Sequence, residues 1–231
     1  MNNTYILLWL EAPLQSWGVD SKFDRRDTLN FPTKSGILGL LCCALGNGGE
    51  QREFLANFAM LSQTVLSFVG VKREREPVLC DFHMVGSAYN DKNPWENLLI
   101  PKKSDGQRPV GSSSKMTYRN YLQSAVFAVL LEVPTRRADA LVCGLENPVW
   151  DIYLGRKNCV PTDFIYRGTF STEAEAEAHA LEIAEEKSLN LEFRVIDGED
   201  EGEVLILNDV PIQFGENKQY RDRYVTVVSS V

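Results

Sequence analysis

The fold of this chain is decided by the stretch Asn30-Phe31-Pro32-Thr33-Lys34-Ser35-Gly36-Ile37-Leu38-Gly39-Leu40-Leu41-Cys42-Cys43-Ala44-Leu45-Gly46. Pro32 and Thr33 are typical of a helix start, because proline fits the first turn and a threonine hydroxyl can accept a hydrogen bond from an unpaired N–H. Gly46 is a typical helix stop. We therefore predict a buried helix over residues 34–45, preceded by an apolar strand.

The start of this helix is a candidate anion site. Unpaired N–H groups and the helix dipole both favour negative charge there, and Lys34 and Ser35 lie in the first turn. A phosphate of a nucleotide or nucleic acid fits such a terminus, although many helices begin this way and bind nothing. A nucleoside-triphosphate loop is excluded, because Lys34 and Ser35 follow Thr33 and precede Gly36 instead of following a glycine.

The composition is typical of a folded globular protein. The chain has 231 residues, of which 44% are hydrophobic and 10% aromatic, so it can bury a sizeable core. The apolar run at residues 5–10 is too short to cross a bilayer and lacks a basic flank, so we interpret it as a strand and expect a cytoplasmic protein without membrane contact. Five cysteines form no Cys-x-x-Cys pair, which favours free thiols over disulfides or a zinc site. We expect neither a metal nor a cofactor.

Charge is divided unequally along the chain. Residues 1–170 hold 19 Lys and Arg against 17 Asp and Glu, whereas residues 171–231 hold 5 against 15. This asymmetry favours a body that contacts polyanions and an acidic region with a different task. A solvated acidic helix without a partner is the alternative interpretation of the Glu-rich part.

The order of the predicted elements indicates the fold class. Strand patterns occupy residues 4–11, 64–73, 78–85, 124–133 and 149–155, and helical patterns occupy 34–45, 50–61 and 136–144. This order predicts an α+β, ferredoxin-like (RRM-like) βαββαβ domain over residues 1–160, with its helices on one face of an antiparallel sheet and the other face free to bind. Residues 161–231 are predicted to form a small acidic C-terminal α+β appendage, with a Glu-rich helix up to about residue 187 and strands at 191–196, 203–207 and 224–228.

The interval 86–123 is unusually long for a connection inside a compact domain. It carries cations interleaved with aromatic residues, namely Lys102, Lys103, Arg108 and Lys115 with Tyr89, Trp95, Tyr118 and Tyr121. Because cations neutralise phosphates and aromatic rings stack on bases, this combination predicts contact with nucleic acid.

Acid–base chemistry has few candidate residues in this chain. Only two histidines are present, which excludes a histidine-based metal cluster. Asp81 and His83 share one face of a predicted strand, where the carboxylate could orient the imidazole for proton transfer or for a hydrogen bond to RNA. A structural histidine is the simpler interpretation. With Lys115 and either Tyr118 or Tyr121, His83 forms the candidate catalytic set of a metal-independent ribonuclease.

Several segments together resemble the CasD family, subunits of type I-E CRISPR Cascade complexes. The matching pieces are Pro13-Leu14-Gln15-Ser16-Trp17-Gly18, residues 31–41, Asp81-Phe82-His83, Thr117-Tyr118-Arg119-Asn120-Tyr121-Leu122 with Phe127, and Leu154-Gly155-Arg156-Lys157-Asn158-Cys159. They occur in family order over about residues 4–161, and their joint occurrence makes the resemblance specific. The sequence departs from the family pattern at Ser124, where an acidic residue is expected, and at Phe164, where a second proline is expected.

The resemblance implies a noncatalytic RNA-binding subunit that acts in antiviral defence. Such a subunit would hold the 5′ handle of the CRISPR RNA and cap the backbone filament, while base pairing reads the target sequence. It implies a ferredoxin-like domain with an extended β-thumb at about residues 86–117. The implied partners are the CRISPR RNA, a CasC-like backbone subunit, a CasA-like large subunit and, through the complex, target DNA. The alternative function is a metal-independent endoribonuclease that processes CRISPR repeat RNA, and a third hypothesis is an assembly adaptor whose acidic region docks a basic neighbour.

The resemblance also implies a set of RNA-binding residues. Thr33, Lys34 and Ser35 would contact phosphate or sugar groups of the handle, and cations from several segments would form a basic groove. The full predicted set is Gln15, Ser16, Trp17, Arg25, Arg26, Thr33, Lys34, Ser35, His83, Lys102, Lys103, Arg108, Lys115, Tyr118, Arg119, Arg156 and Lys157.

Overall fold

The computed structural model describes residues 3–18, 24–70, 74–85, 95, 104–106 and 115–229. Its elements, in chain order, are β1 (Asn3–Glu11), β2 (Leu14–Gln15), β3 (Arg25–Arg26), α1 (Lys34–Leu45), α2 (Arg52–Ala56), β4 (Gln63–Gly70), β5 (Leu79–Val85), β6 (Lys115–Gln123), β7 (Val126–Pro134), α3 (Thr135–Glu146), β8 (Tyr166–Phe170), α4 (Glu173–Glu186), β9 (Leu189–Asp197), β10 (Glu203–Gln213) and β11 (Gln219–Ser229). The predicted helix over residues 34–45 is confirmed with these bounds. Within the described ranges, no helix is long and apolar enough to cross a bilayer.

A seven-stranded antiparallel sheet forms the centre of the molecule. Its strand order is β10-β11-β9-β4-β7-β1-β8. Strands β1 and β7 pair along their full length, from Asn3 opposite Pro134 to Glu11 opposite Val126. Helices α1 and α2 lie in the chain between β1 and β4, and α3 connects β7 to β8. The mixed α+β class, with a mostly antiparallel sheet, agrees with the prediction.

One face of this sheet is covered by α1 and α3. Ile6, Leu8 and Leu10 alternate along β1 and are each 0% exposed, as period-2 geometry requires for a buried strand face. They belong to the same cluster as Leu38 of α1 and Leu141 of α3. This cluster is the larger part of the hydrophobic core and fixes α1 against the sheet.

The opposite face is covered by α4, so the expectation of an open binding face is wrong for this part of the sheet. Alanines and an isoleucine form one stripe of the Glu-rich helix, and they pack against Leu7 and Trp9 of β1, Leu66 and Phe68 of β4, and Leu130 of β7. The rings of Trp9 and Phe68 stack at 5.4 Å between centroids. The helix is therefore amphipathic. Four of its six glutamates are exposed, whereas Glu173 accepts a hydrogen bond from Thr64 of β4 and Glu177 pairs with Arg194 of β9.

A smaller sheet lies beside the main one and is built around β6. Strand β5 pairs antiparallel with β6, from Leu79 opposite Tyr121 to Val85 opposite Lys115. Strand β3 pairs parallel with β6, and β2 pairs with its C-terminal end. The β5–β6 ribbon leads into residues 86–114, most of which lie outside the described ranges. The thumb at about residues 86–117 therefore stays a prediction, as do the roles of Lys102, Lys103 and Arg108.

The predicted strand over residues 149–155 is wrong. The segment is irregular because Leu154 N–H donates to the Cys159 carbonyl (2.8 Å) and Cys159 N–H donates to the Arg156 carbonyl (2.8 Å), which closes a compact loop. Gly155 has φ of +96°, a left-handed conformation that interrupts extended backbone. The edge strand next to β1 is β8 instead. Residues after 160 thus continue the main sheet through β8 and β9–β11.

Candidate nucleic-acid interface

The start of α1 is occupied by a carboxylate of the chain itself. Thr33 is the N-cap, and its hydroxyl accepts a hydrogen bond from Gly36 N–H (3.1 Å). Lys34 N–H donates to Asp209 Oδ2 of β10 (2.7 Å). The same carboxylate accepts two hydrogen bonds from Arg223, from Nε (2.7 Å) and Nη2 (2.9 Å). The predicted anion at this helix terminus is therefore supplied internally, where it complements the helix dipole.

The side chain of Lys34 lies inside the fold. Lys34 is 2% exposed, its Nζ donates to the Leu61 carbonyl, and the same atom lies 3.7 Å from Asp197 Oδ2. Burial lowers the pKa of the Lys34 ammonium, and the Asp197 carboxylate opposes part of that shift. Thr33 is also buried, with 1% exposure. Neither side chain is therefore exposed for contact with a ligand.

Ser35 is the member of this predicted trio that reaches the surface. It lines a cleft of about 200 Å³ together with Gly39, Cys43, Tyr153 and Gly155. This cleft lies between α1 and the loop of residues 154–159, which we call the Arg-Lys loop. Ser35 thus remains available to a ligand at this side of the molecule.

The segment between β1 and the smaller sheet is fixed by internal hydrogen bonds of Gln15, Ser16 and Trp17. The Gln15 amide donates to the carbonyls of Leu10 (3.0 Å) and Ala125 (2.7 Å), and it accepts a hydrogen bond from Trp17 Nε1 (3.1 Å). All three residues are buried, with exposures of 0%, 3% and 1%. The described contacts of these residues are therefore internal, and their predicted contact with RNA stays a prediction.

The Arg-Lys loop connects the Ser35 cleft with the smaller sheet. Arg156 donates to the carbonyls of Asn120 in β6 (3.1 Å) and Arg26 in β3 (2.7 Å), and its guanidinium lies 4.6 Å from the centroid of the Tyr121 ring. Gly155 packs so closely that a Cβ there would overlap the Ser16 carbonyl oxygen. Arg156 therefore links the Arg-Lys loop to β3 and β6 through hydrogen bonds, whereas the Lys157 side chain is exposed.

One face of the β5–β6 ribbon is polar and basic. Asp81 lies opposite Arg119, and His83 lies opposite Thr117, so these four residues share a face by antiparallel register. Arg26 is the parallel partner of Arg119, and its side chain is exposed. His83 Nε2 is 2.6 Å from Asp81 Oδ2, and both side chains are partly exposed. Lys115 begins β6 through its backbone pairing with Val85. We call this surface the basic face.

The other face of the same ribbon is an exposed apolar strip. Phe82 lies opposite Tyr118 and Met84 opposite Met116, and the four side chains are between 38% and 54% exposed. The Phe82 and Tyr118 rings are 5.2 Å apart, and the Arg25 guanidinium lies 5.6 Å from the Tyr118 ring centroid. The sequence reasoning missed Phe82, Met84 and Met116 as surface residues, although alternation in the segment 79–85 carries that signal.

The predicted catalytic set is not brought together by these contacts. His83 and Tyr118 lie on opposite faces of the ribbon, because the register places His83 opposite Thr117 and Tyr118 opposite Phe82. Tyr121 shares the face of His83, but it is 2% exposed and its hydroxyl lies 3.5 Å from Asn158 Oδ1. Neither tyrosine is therefore positioned to exchange protons at the same phosphate as His83.

Comparison with known proteins identifies the family. Residues 5–227 match the family model for "CRISPR-associated protein (Cas_Cas5)". The CRISPR system Cascade subunit CasD of Escherichia coli (strain K12) is 31% identical over 170 residues, which cover 72% of this chain and 71% of that protein. A solved structure described as "CRISPR RNA-guided surveillance complex" contains a chain with 28% sequence identity and a TM-score of 0.74, covering 98% of this chain and 90% of that chain. A second, "Crystal structure of Cas protein", matches with 25% identity and a TM-score of 0.59, covering 97% and 94%. The chain therefore belongs to the Cas5 family of CRISPR-associated proteins, in agreement with the CasD resemblance of its sequence.

Proposed function

We propose that this protein is a noncatalytic RNA-binding subunit of a Cascade-type CRISPR interference complex, in which it holds the 5′ handle of the CRISPR RNA and caps the backbone filament. The observation that carries the proposal is the basic face, where Arg26 and Arg119 lie beside the Arg-Lys loop and the Ser35 cleft. The E. coli relative is named a Cascade subunit, and the structural relative belongs to an RNA-guided surveillance complex. Both names support the proposal.

The RNA backbone would follow the basic face toward the Ser35 cleft. Arg26, Arg119 and Lys157 would neutralise phosphates, and Ser35 would donate to a phosphate or sugar oxygen. Lys115 and the thumb cations Lys102, Lys103 and Arg108 would extend this path. The overall charge of −8 is concentrated away from this path, because residues 171–231 hold 5 Lys and Arg against 15 Asp and Glu, whereas residues 1–170, which include the basic face, hold 19 against 17.

The apolar strip supports the capping part of the proposal. Exposed contiguous apolar side chains are typical of protein–protein contact, and this strip lies on the same ribbon as the basic face. A CasC-like backbone subunit is its proposed occupant, with a CasA-like large subunit and target DNA reached through the assembled complex. We further propose that β4-β7-β1-β8 with α1 and α3 is the ferredoxin-like core on which the ribbon is mounted.

Salt-dependent binding of synthetic handle RNA tests the RNA interface. Arg119→Ala should weaken binding by about 5- to 10-fold, because a charge-assisted contact is lost, and should reduce the slope of log K against log salt by about 0.7. Arg52→Ala is the matched control, since Arg52 is an exposed cation on α2 that pairs with Glu50, and it should leave both values unchanged. If an Arg26→Ala/Arg119→Ala double variant keeps the affinity for handle RNA and the slope of log K against log salt, the basic face does not bind the RNA.

The endoribonuclease alternative is motivated by the short contact between His83 and Asp81. It predicts that the purified chain cuts a CRISPR repeat hairpin in the presence of a chelator and that His83→Ala abolishes the cut. We expect intact RNA after long incubation with excess protein, because neither Tyr118 nor Tyr121 is positioned to act with His83. Cleavage that depends on His83 would replace the noncatalytic proposal.

A further inference from the structure

The outer end of the main sheet carries a second exposed apolar patch. Ile206 of β10 lies directly opposite Tyr224 of β11, and Val204 lies two residues before Ile206 on the same face. These side chains are 63%, 48% and 43% exposed. Helix α4 packs on β1, β7, β8 and β9 on this side of the sheet. We call Val204, Ile206 and Tyr224 the outer patch.

An acidic turn forms the rim of the outer patch. Residues 198–202 connect β9 to β10 and include Glu199, Asp200 and Glu201, all of them exposed. Asp200 N–H donates to Thr226 Oγ1 (2.9 Å), and that hydroxyl donates to the Gly198 carbonyl (2.9 Å). Thr226 is the register partner of Val204, so these bonds hold the acidic turn against the patch.

The arginines of this region are engaged away from that turn. Arg194 pairs with Glu177 of α4, Arg223 pairs with Asp197 and Asp209, and Arg221 donates to the Ala59 carbonyl (3.0 Å). Lys218 lies between β10 and β11, at the opposite end of the hairpin from Val204. The rim of the outer patch therefore presents negative charge to a partner.

The strand that carries the patch is also the edge of the sheet. β10 is the terminal strand of the seven, and an exposed apolar edge strand is a template for an added extended segment. Register irregularities occur between Asn208 and Val210 and between Pro211 and Gln213. The regular part of the edge is therefore residues 203–208, which contains Val204 and Ile206.

We propose that the outer patch binds a Lys/Arg-rich segment of another protein, which lies along residues 203–208 and places an apolar side chain on Ile206 and Tyr224. Charge complementarity selects this occupant, because the acidic rim attracts cationic side chains and repels RNA. A second copy of this chain is disfavoured, since two acidic rims would face each other. The proposal does not depend on RNA binding, because the outer patch is formed by strands other than those of the basic face.

Site-specific photo-crosslinking of the full chain, expressed in its native host, tests the proposal. Ile206→benzoylphenylalanine should crosslink on irradiation to a protein segment in which Lys and Arg exceed Asp and Glu, as identified by mass spectrometry. The matched control is Ile212→benzoylphenylalanine, because Ile212 is 47% exposed on the same strand but beyond the irregular register. Crosslinks to RNA, to a second copy or to an acidic segment, or a yield no greater than that of the control, would overturn the proposal.

A charge variant separates this inference from the proposed function. Ile206→Lys should reduce co-purification of the crosslinked partner at least about tenfold, as expected for a central interface residue, whereas Ile212→Lys should not. Affinity for handle RNA should be equal in both variants and in the wild-type chain. If the wild-type chain fails to bind handle RNA, the proposed function fails while the crosslinking result stands. If the partner co-purifies equally with the two variants, the proposal that the outer patch binds this partner is wrong.

Discussion

Asp209→Ala should destabilise the folded protein far more than a typical surface substitution. Asp209 lies on β10 and is 5% exposed, yet it carries a charge that accepts three hydrogen bonds. Two of them come from Arg223 and one from the backbone of Lys34 at the start of α1. Alanine removes all three acceptor contacts at once and leaves a buried guanidinium with fewer partners.

The size of the loss in free energy of unfolding depends on which partners Arg223 keeps after the substitution. Breaking a buried ion pair by removing one partner costs about 3–5 kcal/mol, because the other charge is left uncompensated. Arg223 still pairs with Asp197, so we expect the lower end, about 3 kcal/mol. Asp209→Asn keeps one acceptor oxygen and should cost about 1.5–3 kcal/mol, in the range of hydrogen bonds to charged groups. Both values are large against a typical stability of about 5–15 kcal/mol.

Urea unfolding followed by tryptophan fluorescence measures these differences. The buried Trp9 and Trp17 report loss of the core, and linear extrapolation gives the free energy of unfolding in water. Asp222→Ala is the matched control, because Asp222 is an exposed carboxylate on the same hairpin that accepts one hydrogen bond from Asn208. We expect a change within about 0.5 kcal/mol for the control.

A small effect would refute the reasoning. If Asp209→Ala lowers the free energy of unfolding by no more than the Asp222→Ala control, the carboxylate is not the internal anion of α1. Should the alanine variant fail to fold, the asparagine variant keeps the comparison measurable. A double variant Asp209→Ala/Arg223→Met should be less destabilised than Asp209→Ala alone, because it removes the uncompensated cation.

Three further outcomes follow from glycine and cysteine positions. Gly155→Ala should lower the free energy of unfolding by about 3 kcal/mol or more, or prevent folding, because its Cβ would overlap a backbone carbonyl at positive φ. Gly18→Ala should change the free energy of unfolding little, because among the described residues other than its chain neighbours no heavy atom lies within 4 Å of the added Cβ. A thiol reagent at pH 8 should modify the exposed Cys80 and Cys143 before the buried Cys42, and equal rates would contradict the described burial. Burial raises the pKa of Cys42 to about 12 from 9.0, so the thiol ionises in the unfolded chain before it ionises in the folded protein. The free energy of unfolding should therefore fall by about 1.4 kcal/mol per pH unit above pH 9. In urea unfolding of Cys42→Ala, the fall of the free energy of unfolding with pH should be smaller by that amount.

Features set by neighbouring residues could be predicted from the sequence. Helix α1 was predicted because Thr33 and Gly46 mark its ends, and both act as caps. The Glu-rich helix predicted up to about residue 187 is α4, and Thr172 and Glu175 form a reciprocal capping box at its start. These hydrogen bonds connect residues three or four apart, so no knowledge of the distant chain is needed to infer them.

Features set by distant residues could not be predicted in this way. The Lys34 and Asp209 contact joins positions 175 apart in sequence, so a helix start that favours an anion gives no indication that the anion is internal. Strand β3 has two residues and is defined by its parallel pairing with β6. A strand this short shows no alternation of apolar and polar residues from which it could be predicted. The segment 149–155 contains strand-forming residue types, but Leu154 is buried while Val149 and Trp150 are exposed in a loop closed by turn bonds.

The acidic C-terminal region explains how an anionic chain can present a basic surface. Its carboxylates have different roles. Asp197 and Asp209 neutralise buried cations, most glutamates of α4 are exposed on a helix that covers the sheet, and the turn at 198–202 lies beside the outer patch. Deleting residues 171–231 would therefore expose Trp9 and Phe68 and leave Lys34 buried without a carboxylate. Such a truncation should unfold the body, so single substitutions at Ile206 and Arg119 are the experiments that separate partner docking from RNA contact. The two proposed activities are separable for a physical reason, because Ile206 lies on β10 of the main sheet and Arg119 lies on β6 of the smaller sheet.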